Sequence, residues 1–202
     1  MSLFPFPTVY AGNAALGFCG DGDSHMYGNA DPANAMPVFL QTYTPFHRSI
    51  FANLAQNGWT WQNVNNTYVT ATQPYQPNIT RLRSVFWLHV GSNNIQIGDT
   101  GASIYTGVAA ILAAVKAMGF IVGATVPWAS STWNASQLTA LGTYRTSMQS
   151  DPSITSGLLL DGNTMFPVTD VPPNFIDGND HLAPTGQAVY AGYVNAAMMT
   201  VF

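Results

Sequence analysis

Ser24 closes a tight turn, Gly20-Asp21-Gly22-Asp23-Ser24, directly after the apolar run Leu16 to Gly20. A serine hydroxyl is a poor nucleophile at neutral pH and needs a base within hydrogen-bond reach. Glycine in such a turn permits backbone angles that bulkier residues resist. A helix starting just beyond it would aim free N–H groups at developing negative charge. The plainer role for Ser24 is a helix N-cap, a position that serine favours.

His181 is the matching base. It stands in Asp177-Gly178-Asn179-Asp180-His181-Leu182, ahead of Thr185 and Gly186. An imidazole takes the serine proton near neutral pH, and a carboxylate fixes its tautomer. Both Asp177 and Asp180 are candidates for that carboxylate. Adjacent side chains in an extended loop diverge, which favours Asp177 reaching back through a bulged Gly178-Asn179 turn. Asn93, in Gly91-Ser92-Asn93-Asn94, supplies a side-chain amide at a strand end, where it can donate to an oxyanion. Its plainer role is a turn asparagine. His25 is expected to line the site without catalysing. His47 and His89 have no carboxylate neighbour in the sequence and read as ordinary histidines.

These residues need elements to position them. The 202-residue chain fits one domain, 1–202, large enough to bury a core, and no internal repeat or low-complexity linker divides it. Leu16 to Gly20 reads as strand 1. Phe46 to Asn57 has helical spacing (Phe46, Ile50, Leu54) and ends at Gly58. Trp59 to Asn65 alternates enough for strand 2, and Ser84 to Val90 is a continuous apolar run, the mark of a strand buried on both faces. Ile104 to Met118 predicts a helix, Phe120 to Val126 a strand, Ser136 to Ser150 a helix, Gly157 to Leu160 a short strand and Thr185 to Met199 a terminal helix. Strands alternating with helices imply a parallel sheet covered on both faces. In such sheets the ligand site lies beyond the carboxyl ends of the strands. The Ser24 turn, the Asn93 turn and the His181 loop all fall at that rim.

Composition narrows the partners. Charged residues are 7% of the chain, against roughly 25% in ordinary soluble proteins, and Lys116 is the only lysine. A net charge of -4 with one basic pair, Arg81 and Arg83, excludes a phosphate track for nucleic acid. The surface must be built from Asn, Gln, Thr, Ser, Tyr and Gly, which suits sugars or packing within a larger assembly. A single cysteine, Cys19, excludes an internal disulfide framework and CxxC metal or redox sites. The apolar stretch Val108 to Val126, interrupted by Lys116 and Gly119, is not a membrane span. Met1 to Pro7 has neither a basic n-region nor an apolar h-region of signal-peptide length. An extracellular, surface or virion-associated setting fits the composition best.

Taken together, the motifs resemble the SGNH (GDSL-type) serine hydrolase family, and the resemblance covers nearly the whole chain. Gly22-Asp23-Ser24 looks like the family's first block, which carries the nucleophile and a backbone oxyanion donor. Gly91-Ser92-Asn93-Asn94 is similar to its G-x-N-D block, with Asn93 at the oxyanion asparagine. His181-Leu182-Ala183-Pro184-Thr185-Gly186 resembles the final block, in which glycine follows the histidine by five. The resemblance implies a three-layer α/β/α sandwich with a parallel, flavodoxin-like five-stranded sheet. It also implies Ser24, His181 and Asp177 as catalytic residues, with the Ser24 and Thr70 amides and the Asn93 side chain as oxyanion hole. No metal or organic cofactor is implied. Three positions depart from the pattern: Asn94 replaces an aspartate, Thr70 takes the place of the second-block glycine, and the aspartate expected at 178 is glycine.

The implied activity is hydrolysis of short-chain acyl esters through an acyl-enzyme. Trp128 and Trp133, in the loop after the fourth strand, point toward carbohydrate O-acetyl groups, although tryptophans in a packed domain are more often core; the expected partner is a small-molecule or polysaccharide ester. Lipase or thioesterase activity is a narrower variant within the same family. Two other classes stand beside it. A Mg²⁺-dependent phosphatase would use Asp21-Gly22-Asp23 as nucleophile motif and need a lysine at the strand ends. A structural or carbohydrate-binding module would keep the fold without turnover.

Overall fold

The computed structural model describes residues 16–28, 32–43, 50–73, 83–167, 174–177 and 180–202. His47 and the Gly178-Asn179 turn lie outside them. Five apolar segments form one parallel sheet: β1 (Leu16–Gly22), β2 (Ile50–Asn53), β3 (Arg83–His89), β4 (Ile121–Val126) and β5 (Leu159–Asp161), in the order β2-β1-β3-β4-β5. That is the flavodoxin-like doubly wound order. The register is continuous across the middle of the sheet, with Phe18 beside Phe51 on one side and Val85 on the other, and Val85 beside Ile121.

Successive strand residues face opposite sides, and here both sides are apolar. Phe18, Val85 and Trp87 point into one core with Met26, Met36, Leu40, Tyr190 and Val194. Those partners come from α1 (Ser24–Tyr27), α2 (Met36–Leu40) and α8 (Pro184–Met198). Cys19, Phe86, Leu88, Val122 and Ala124 point into the other. There they meet α3 (Trp61–Thr72), α5 (Gly101–Ala117) and α6 (Ala135–Gln149). Ile104, Val108, Ile111, Leu112 and Val115 form the buried stripe of α5, and all are fully buried. Each contributes about 1.5–3 kcal/mol of burial before chain entropy is counted. The short helices α4 (Ser92–Gln96) and α7 (Gly162–Met165) follow β3 and β5 directly. A small antiparallel ladder, β6 (Phe175–Asp177) with β7 (His181–Leu182), precedes α8.

Two expected elements exchange type. The segment Phe46 to Asn57, expected as a helix, contains β2, and the strand expected over Trp59 to Asn65 is the start of α3. The Phe46–Ile50–Leu54 spacing fits a helix as well as a short buried strand, and parallel pairing of Phe51 and Ala52 against β1 decides it. Trp59 and Trp61 alternate only because Thr60 between them is an N-cap. The Thr60 amide donates a hydrogen bond to the Asn63 side-chain oxygen, completing a capping box. The strand expected over Gly157 to Leu160 is β5, which starts at Leu159 and ends at Asp161.

Candidate active site

The carboxyl ends of β1, β2, β3 and β4 lead into the segments that carry the candidate residues. β1 ends at Gly22, whose φ is +143° and whose absent Cβ would stand 1.8 Å from the His89 carbonyl oxygen. No side chain fits there, so glycine lets the end of β1 lie against β3. The Asp23 amide then donates to the same carbonyl at 3.0 Å. Asp23, not Ser24, is the N-cap of α1; Ser24 is its first helical residue. Among the described residues the Ser24 amide has no acceptor.

Ser24 Oγ lies 3.1 Å from His181 Nε2, a separation of 157 residues in sequence closed to hydrogen-bond distance. The serine is 5% exposed and the histidine ring about a quarter exposed. The two carboxylate candidates differ in placement. Asp180 Oδ2 stands 4.0 Å from His181 Nδ1, beyond hydrogen-bond length. Asp177 lies directly across the β6–β7 ladder from His181, with a bulge between Phe175 and Asp177.

Asn93, in α4 after the left-handed Gly91 (φ +127°), donates its side-chain amide to the Trp59 carbonyl at 2.9 Å. Asn94 is fully buried; it accepts from the Trp61 amide at 2.9 Å and donates to Gln62 and Asp99. The departure at this position is therefore a packing matter. An aspartate here would face the Asp99 carboxylate with no proton to offer.

Thr70 is not brought to this group. It is exposed near the end of α3, where its amide belongs to the helical ladder. Nearer to Asn93 is Gly58, which the sequence marked only as a helix stop. Gly58 follows β2, has φ +74°, and adjoins Trp59, whose carbonyl holds Asn93. Its amide has no acceptor among the described residues. The signal that could have found it is a strand, a loop and then a lone glycine, obscured by the misplaced strand 2.

Beneath Ser24 lies a buried polar column. His25 Nδ1 is 2.7 Å from Asp23 Oδ1, and His25 Nε2 is 2.9 Å from the Asp180 carbonyl oxygen. The His25 ring stacks between His89 (5.0 Å between centroids) and His181 (5.8 Å). His89, expected to lack a carboxylate neighbour, has Asp23 beside it in space. Burial works against charge on all three groups, and its outcome differs. The Asp23 pKa still falls below 3.8 because His25 pairs with it; the His25 pKa rises above 6.5 for the same reason. For His89 burial prevails and takes the pKa down to about 3. Tyr190 donates to Thr125 and so accepts from His89 Nδ1, leaving His89 Nε2 without a hydrogen-bond partner among the described residues.

Asp23, His25 and His89 offer donor atoms within 4.8 Å of one another, the makings of a divalent-cation site. The protonation pattern disfavours it. A metal ligand presents a bare imidazole lone pair, whereas each His25 nitrogen faces an oxygen acceptor. Asp21 and Asp23 are 0% exposed, and Lys116 is turned to the Pro152 carbonyl. The phosphatase reading is thereby corrected: its carboxylates cannot meet a substrate, and no lysine stands at the rim. Trp128 and Trp133 are likewise buried, at 2% and 8% exposure, so neither forms a sugar-stacking surface.

No protein-family model matches the sequence, and no curated protein sequence does. Solved structures do match. The esterase EstA from Pseudoalteromonas sp. superimposes with a TM-score of 0.72 at 10% identity, over 91% of this chain and 97% of that one. A member of the lipolytic protein G-D-S-L family from Veillonella parvula gives 0.71 at 16% identity, over 92% and 99%. An acetyl xylan esterase, AlAXEase, gives 0.71 at 14%, over 90% and 98%. The chain has the three-layer α/β fold of the SGNH (GDSL-type) hydrolases. Among the described residues no helix is long and apolar enough to cross a membrane.

Proposed function

We propose that the protein is a serine carboxylic-ester hydrolase of the SGNH type, acting on short-chain acyl esters. The observation that carries this reading is the 3.1 Å contact between Ser24 Oγ and His181 Nε2 at the carboxyl rim of the sheet. Unprotonated Nε2 accepts the Ser24 proton as Oγ attacks the ester carbonyl. Negative charge gathers on the carbonyl oxygen, where the Ser24 and Gly58 amides and the Asn93 side chain are the donors. Collapse expels the alcohol, which takes the proton from His181 and leaves acyl-Ser24. Water, deprotonated by His181, then attacks the acyl-enzyme and releases the acid. Asp177 is the carboxylate assigned to His181, on the cross-strand register. No step needs a metal or organic cofactor.

Carbohydrate O-acetyl groups are the proposed substrates. The support is the sparsely charged, amide- and hydroxyl-rich composition and the half-exposed Trp59 beside Asn93, with an acetyl xylan esterase among proteins of like fold. The test is a panel of acetylated xylo-oligosaccharides against p-nitrophenyl acetate, butyrate and octanoate. A kcat/KM highest on acetylated sugars and falling with acyl length supports the reading; preference for octanoate replaces it with a lipase or thioesterase.

A further inference from the structure

His25 adjoins the nucleophile but is buried, 3% exposed, and touches no open surface. Its hydrogen bonds nevertheless fix its protonation. A carbonyl oxygen only accepts, so Nε2, 2.9 Å from the Asp180 oxygen, carries a hydrogen. The Asp23 carboxylate also accepts, and the 2.7 Å contact with Nδ1 has the length of a charge-assisted bond. With both nitrogens donating, the ring is an imidazolium.

The Asp180 carbonyl is the last backbone acceptor before His181, and it takes a second hydrogen bond from Trp128 Nε1 at 3.2 Å. His25 enters from the end of β1 and Trp128 from the end of β4. The loop carrying the base is thus held from two strands of the sheet. Gln187 in α8, six residues past His181, donates to the His25 carbonyl at 3.0 Å and accepts from the Met36 amide at 2.9 Å. The chain on the far side of His181 is therefore fastened to the same residue.

We propose that His25 is a positioning residue, a buried imidazolium that clamps the Asp180 carbonyl and so sets His181 against Ser24. This rests on the esterase reading. The charged and titratable groups facing His25 are Asp23 on its Nδ1 side, His89 and His181 on its two faces, and Asp180 beyond Nε2. His89 is uncharged and His181 acts as a neutral base, so Asp23 balances the charge. Loss of the His25 proton leaves one ring nitrogen bare against an acceptor and loosens the clamp. Activity then falls on the alkaline side, above the raised His25 pKa.

The experiment compares wild type, His25→Gln, His25→Leu, Trp128→Phe and the His25→Leu/Trp128→Phe double variant by steady-state kinetics across pH on p-nitrophenyl acetate. Active sites are counted by fluorophosphonate titration, and histidine ring nitrogens are read by long-range ¹H–¹⁵N NMR. Misplacing a reacting group by about 1 Å costs on the order of 10²-fold. The expected result is a kcat per active site lowered about that much in His25→Leu and less in His25→Gln, which keeps a donor, with KM little changed. The alkaline limb of the wild-type profile disappears in both His25 variants, and the wild-type His25 ring stays doubly protonated to higher pH than an ordinary histidine. The Trp128→Phe loss combines less than additively with His25→Leu, because both act on one carbonyl. A His25 ring that loses its proton no later than an ordinary histidine, or an unchanged kcat per active site, overturns the proposal. A wild type that turns over no ester overturns the esterase reading instead. The clamp is then read from the His181 ring signals, which shift in His25→Gln if it holds and stay in place if it does not.

Discussion

The Asn93 side chain reaches back to the Trp59 carbonyl across 2.9 Å, tying the turn after β3 to the loop after β2. One N–H of the amide is used in this contact. The second has no acceptor among the described residues. Asn93 is thereby fastened to the Gly58–Trp59 corner after β2.

Replacing Asn93 by alanine should lower kcat by about 10²–10³ with a smaller change in KM, because the donor is used mainly in the transition state. Thr70→Ala, on the exposed face of α3, should leave kcat/KM and stability unchanged within about 0.5 kcal/mol. Gly58→Ala keeps the amide and meets no neighbouring atom. Its positive φ should cost about 1–2 kcal/mol in denaturant unfolding, with kcat/KM retained within about tenfold. Steady-state kinetics on p-nitrophenyl acetate and urea titrations check all three.

The carboxylate behind His181 is separable by mutation. Asp177→Asn should reduce kcat by up to about 10⁴, the scale seen when the orienting carboxylate of a serine triad becomes an amide. Asp180→Asn should cost less than about tenfold, since its carboxylate stands beyond hydrogen-bond length from Nδ1. The reverse order of effects would reassign the residue.

Much of this site was legible because its parts are local. Each of the Ser24, Asn93 and His181 motifs combines a strand end with a turn that needs particular residues, and alternation of strands with helices sends all three to one rim. What was not legible depends on contacts between distant segments. Ile50 to Asn53, within the run expected as a helix, became β2 because β1 offered it a parallel partner, which no local period encodes. Trp128 and Trp133 looked available for sugar because loop position says nothing of depth. His89 looked isolated because Asp23 reaches it only through the pairing of β1 with β3, where Gly22 stands beside it. Thr70 followed from reading Trp59 to Asn65 as a strand, which set the loop expected after it inside what is α3.

Asp21 gives a prediction about stability. It is fully buried, its Oδ1 accepts from the Gly22 amide at 2.8 Å, and its Oδ2 has no partner among the described residues. Burial raises its pKa to about 7, only partly offset by that hydrogen bond. The folded state therefore holds a proton that the unfolded chain releases near pH 4. Stability from this group is full below that pH, is lost as pH rises through about 7, and stays lost above. The loss should be on the order of 2–4 kcal/mol. Asp21→Asn should flatten this part of the profile in urea unfolding between pH 5 and 8. A wild-type profile equally steep in the variant would assign the dependence to another group.

The most direct test of the central claim is hydrolysis of p-nitrophenyl acetate by the wild type and by Ser24→Ala, both in EDTA. A serine esterase gives turnover that EDTA does not reduce and that Ser24→Ala abolishes to background. Turnover that persists in Ser24→Ala, or that EDTA removes, would contradict it. A wild type inert toward acetyl, butyryl and acetylated-sugar esters would leave a hydrolase fold serving as a binding or structural module.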